Sequence, residues 1–119
     1  MSSLEQADRE RLNRRERLGQ IDRVTNELTH KRQIVTLLTP QIEAIGTQMR
    51  LLGQVQDLAA NVSPNVTGTG GMRARDQIIG ACAAGAKGLN NRRDKLTRQR
   101  DAAATEIPKL EAQLAAFTS

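Results

Sequence analysis

The sequence predicts an all-α fold, a long antiparallel helical hairpin of coiled-coil character. Three observations carry that reading: two long heptad runs, one glycine-rich break between them, and no stretch that alternates apolar and polar residues for the length of a strand. The composition agrees. Phe117 is the sole aromatic residue, so the aromatic side chains that strands favour are missing.

The first run starts at Ile21 and continues, at alternating spacings of four and three, through Val24, Leu28, Lys31, Val35, Leu38, Ile42, Ile45, Met49, Leu52, Gln56 and Ala59. Ten of these twelve positions are apolar, which marks one face of a helix expected over about 3–62. The second run reads Ile79, Cys82, Ala86, Leu89, Arg93, Leu96, Arg100, Ala103, Ile107, Leu110, Leu114 and Phe117, on a helix expected over about 72–117. It too is apolar at ten of twelve.

Between the runs lies NVSPNVTGTGG, whose proline and glycines predict a loop over 63–71. So short a connection makes the helices antiparallel neighbours in a single helical domain, 1–119. With the tip near Thr67, facing residues sum to roughly 134, and the hairpin would be about 85 Å long at 1.5 Å per residue.

Pro40 and Pro108 fall inside the runs but off the apolar seam, and the repeat keeps its register across both. We therefore expect kinks. The rival is a break at Thr39-Pro40, with Thr39 as cap and Pro40 at the first helical position. Together with an early stop at Gly19, that would give a compact three- or four-helix bundle.

Charge divides the hairpin into halves. Residues 34–62 hold only Glu43, Arg50 and Asp57, whereas 1–33 carry fourteen charges and 92–111 carry ten. A helix uncharged nearly all round is normally covered on several sides. Opposite it runs GACAAGAKG, residues 80–88, almost bare of side chains. Gly80, Ala84 and Gly88 form a stripe directed away from the Cys82/Leu89 seam. Gly85 flanks that seam, and Gly46 and Gly53 stand seven apart on the facing helix. An interior glycine costs about 1 kcal/mol against alanine, so several of them imply close backbone approach by another helix, most simply from a second copy.

Nothing in the chain points to catalysis. His30 has no Cys or His partner, which argues against a metal site. Cys82 lies on the seam, where it reads as a small buried hydrophobe, and one cysteine cannot close an intrachain disulfide. No paired-carboxylate, nucleophile–base or dinucleotide pattern occurs, so we expect no enzyme activity, no cofactor and no small-molecule substrate. TGTGGMRARD, residues 67–76, could cradle an anion at a helix start, yet it lacks the Lys-Ser/Thr of a phosphate loop. Asn61-Val62-Ser63 and Asn65-Val66-Thr67 match the glycosylation pattern by coincidence if the chain is not secreted. MSSLEQADRERLNRRER contains no apolar leader, and no run is long and apolar enough to span a membrane. A cytoplasmic location, or one within a virion or secretion assembly, fits these features; a membrane hairpin does not.

Net charge is +5, and a basic cluster stands out: Lys87, Arg92, Arg93, Lys95, Arg98 and Arg100, offset only by Asp94. At the expected register it faces residues 34–47, where Glu43 is the sole acid. Arg93 and Arg100 occupy seam positions, where a charge needs a partner or must reach out to water. An acidic protein surface or a polyanion would neutralise the cluster. A second cluster, Arg9, Arg11, Arg14, Arg15 and Arg17, is interspersed with acids and overhangs the second helix.

In size and shape the chain is similar to small secreted helical hairpins bearing Trp-x-Gly at the turn, but its turn reads SPNVTGTGG and it has no tryptophan. The basic hairpin style resembles coiled-coil stalk components of secretion machines, by composition alone. Two functions follow as expectations. One is a non-enzymatic structural protein whose uncharged half packs into a homo-oligomer or larger complex, such as a virion or secretion-apparatus component. The alternative is a basic helical nucleic-acid-binding or regulatory protein acting through residues 87–100, with sequence-blind phosphate contacts because no aromatic can stack on bases.

Overall fold

A computed structural model describes residues 3–62 and 64–118, without the side chains of 64–67. Two long helices, α1 (Ser3–Ala60) and α2 (Pro64–Thr118), form an antiparallel hairpin. The three- or four-helix bundle does not form, because α1 runs unbroken through Pro40 and α2 through Pro108. Each proline withholds one N–H, leaving the carbonyl four residues earlier without its helical donor. Just past that point, Gln41 Nε2 donates to the Leu37 carbonyl at 3.2 Å. Near Pro108, Thr105 Oγ1 donates to the Asp101 carbonyl at 2.8 Å. Apolar contact on the seam then keeps each helix going through its weak point.

The connection leaves helical geometry after Ala60 and again at Gly68. α1 ends at Ala60, where Asn61 N–H donates to Asp57 and Val62 N–H to Ala59, both at 3.2 Å. α2 begins at Pro64, a residue suited to a helix start because its missing N–H would have no partner there. Gly68 alone departs from helical geometry, at φ 67° and ψ −169°. A side chain at that φ would be strained, so glycine is what allows the chain to bend there. Ser63 and the side chains of 64–67, which include the expected tip at Thr67 and parts of both glycosylation patterns, lie outside the described residues.

All twelve positions of each heptad run are buried or half-buried, including the polar Lys31, Gln56, Arg93 and Arg100. The chain divides into two units, one joining residues up to 36 with those from 100, the other comprising 37–99. In the first, Val24, Leu28 and Leu110 form a buried cluster flanked by Ile107, Leu114 and Phe117. Arg32 Nη2 reaches Glu111 Oε1 at 3.3 Å across the same unit. Residues 3–20 of α1 are exposed throughout. In the second unit, Ile45, Ala59 and Cys82 are buried.

Register is set by contacts within each unit. Leu52 meets Gly85, numbers that sum to 137, and Arg32 meets Glu111, numbers that sum to 143. Both exceed the expected 134. The reversal is completed only after Gly68, which displaces pairing toward the C-terminus, and the Arg32–Glu111 pair adds the reach of two long side chains.

Candidate interaction surface

The surface is built on the sparsely charged segments of the 37–99 unit, and its geometry follows from heptad position. Ile45, Leu52 and Ala59 on α1, and Cys82, Leu89 and Leu96 on α2, hold equivalent seam positions, each four residues before the next. In an antiparallel pair, the residue before each following seam residue lies on the same side of both helices. That rule places Gln48 and Val55 beside Ile78 and Gly85. The next row outward adds Ala44, Leu51 and Leu58 on α1 with Ala81 and Gly88 on α2. All of these residues are exposed.

One lateral face therefore pairs large with small. On α1, Leu51 is 55% exposed, Val55 45% and Leu58 71%. On α2 the matching row is Ala81, Gly85 and Gly88. Leu37, 63% exposed, continues the α1 stripe at the same heptad position as Leu51 and Leu58. These residues repeat at the spacing of a coiled-coil seam, yet no helix among the described residues covers them. Sequence reading followed the small residues and missed the leucines. The signal was present in the seven-residue spacing of Leu37, Ala44, Leu51 and Leu58.

The expected packing residues separate by position. Gly85 is the one in contact: Leu52 Cδ1 lies 3.3 Å from where its Cβ would stand. Gly80, Gly88, Gly46 and Gly53 have open space at that point. Gly80 and Ala84 turn to the outer side of α2 and are exposed, while Gly88 belongs to the lateral face. Gly46 and Gly53 are half-buried on the opposite face.

The basic cluster is met by local partners at its seam positions. Arg93 Nη2 donates to Asn90 Oδ1 at 2.8 Å, and Arg100, in the other unit, pairs with Asp101 at 3.2 Å. Lys87, Arg92, Lys95 and Arg98 are exposed and make no ion pair among the described residues. In the expected anion loop, Arg75 bonds Asp76 at 2.9 Å, and Thr67 lies outside the described side chains. Cys82 is buried with a free thiol and His30 is exposed. Among the described residues, no cluster of three or more His, Cys, Asp or Glu could hold a metal ion, and no helix is long and apolar enough to cross a membrane.

No protein-family model, curated protein or solved structure matches this chain.

Proposed function

We propose that the protein is a non-enzymatic assembly element, a helical hairpin whose uncharged half packs into a homo-oligomer or larger complex of the virion or secretion-apparatus kind. The observation that supports this reading is the imbalance of its apolar surface. Only seven hydrophobic residues are buried among those described, whereas Leu37, Leu51, Val55, Leu58 and Ile78 of one unit stand open to water. Two helices meeting along one seam offset little of their ordering entropy, and a further helix covering the exposed row would add to that seam.

Absolute mass by light scattering tests it, at about 50 mM and about 500 mM salt, a range that weakens phosphate-type contacts and leaves apolar packing. An oligomer at both supports the reading. A monomer at both overturns self-assembly and leaves only a foreign partner.

The unpaired Lys87, Arg92, Lys95 and Arg98 favour a second reading, contact with a polyanion. Binding to a short DNA duplex that weakens steeply with salt, and further on Arg92→Gln with Arg98→Gln, would support it. Salt-insensitive mass and no duplex binding would exclude it.

A further inference from the structure

We infer that the exposed row Leu51, Val55 and Leu58 seats on Ala81, Gly85 and Gly88 of a second copy, making a two-fold pair of hairpins with their tips at the same end. This rests on the self-assembly reading and deepens it by naming the face and the orientation. Coiled-coil spacing identifies the missing cover as a helix. The surface itself identifies that helix, because one face carries both the large row and the small row that would receive it.

Only one two-fold arrangement brings the rows together. An axis along the hairpin lays α1 of the second copy over α2 of the first, so large meets small twice by symmetry. An axis across the hairpin lays α1 over α1 and sets leucine against leucine. Height also matches. With Leu52 opposite Gly85, Leu51 of the second copy stands level with the gap between Gly85 and Gly88. Its Val55 stands level with the gap between Ala81 and Gly85, and its Leu58 with the gap between Ile78 and Ala81, at the edge of the small row. Leu51 and Val55 thus meet places where the helix surface has little or no side chain, which is the knobs-into-holes condition, while Leu58 stands beside Ile78.

Area is sufficient. Residues 37–60 of α1 span about 36 Å, and two helices about 9 Å apart present a face about 20 Å wide. That gives about 700 Å² per copy, close to the roughly 800 Å² per partner of a specific interface. Charge lies away from the centre of this face. Glu43, Arg50 and Asp57 stand at a heptad position off it. Arg92 and Lys95, which continue the rows of Gly85 and Gly88, stand at its end beside Ala44 of the second copy, where long side chains reach water.

The test mixes two full-length variants, each carrying Cys82→Ala: one with Leu51→Cys, the other with Gly88→Cys. A disulfide closes only where Cα atoms approach within about 7 Å, so mixed covalent dimers should exceed Leu51→Cys homodimers by about tenfold under mild oxidation. An excess of Leu51→Cys homodimers would overturn the orientation in favour of α1 on α1. Wild-type chain that is oligomeric by mass, with neither crosslink formed, would overturn this face and leave self-assembly standing. A wild-type monomer would overturn both.

Discussion

The δ1 methyl of Leu52 lies 3.3 Å from the position a Cβ on Gly85 would take, so a side chain added there presses on the facing helix. Gly80, five residues earlier on α2, has nothing within 4 Å of the same point. The two glycines should respond differently to the same change. Gly80→Ala removes a backbone-entropy cost with no steric consequence and should stabilise by up to about 1 kcal/mol. Gly85→Ala asks Leu52 to shift by a few tenths of an ångström and should gain less. Gly85→Leu overfills the seam and should cost about 1–3 kcal/mol. Denaturant unfolding of these three variants, with Gly80→Leu as the control, decides it. Equal stability of Gly85→Leu and Gly80→Leu would contradict the contact.

Pro40 sits exposed in the interior of α1, and the helix continues through it. Restoring its N–H by Pro40→Ala returns a hydrogen bond to the Thr36 carbonyl and removes a ring clash, a change worth about 3 kcal/mol in a helix interior. The variant should melt higher, with unchanged or slightly greater helical circular dichroism. A loss of stability would show that the chain turns at Pro40.

The seam was legible in the sequence because burial there has one cause. An antiparallel partner rewards apolar residues every three and four positions, and all twenty-four positions read that way are at least half-buried, even Lys31 and Arg93. The connection was less legible. Proline and glycine mark both turns and helix starts, and only the backbone shows that Pro64 opens α2 while Gly68 bends it. The lateral face was hidden for another reason. Its leucines are exposed, and single exposed leucines are ordinary. They become a surface only when the antiparallel register brings Leu51 and Val55 alongside Gly85 and Gly88.

Arg93 and Arg92 are adjacent in sequence and opposite in setting. Arg93 is half-buried on the seam and bonded to Asn90 at 2.8 Å, whereas Arg92 is exposed and unpaired among the described residues. Arg93→Leu should therefore extend the apolar seam and stabilise by about 1 kcal/mol, part of the gain for a fully buried leucine. Arg92→Leu should leave thermal stability within about 0.5 kcal/mol, as surface changes do. If the cluster meets a polyanion, Arg92→Leu should reduce that binding and Arg93→Leu should matter less. Equal effects of both on melting would place Arg93 outside the seam.

Leu28 and Leu51 separate the fold from the assembly. Leu28 is 3% exposed and packs in the cluster with Val24 and Leu110, within one unit. Its truncation removes apolar contact that relaxation cannot recover in full, so Leu28→Ala should cost about 2–3 kcal/mol at every protein concentration. Leu51 is more than half exposed in the hairpin, and Leu51→Ala should leave the stability of dilute protein nearly unchanged. Its effect should emerge on raising the concentration. There the wild-type melting temperature climbs by mass action as copies associate, and the variant's should climb less. Melting curves across a hundredfold range of concentration read both behaviours together. A concentration-dependent shift that Leu51→Ala leaves intact would move the interface off the lateral face.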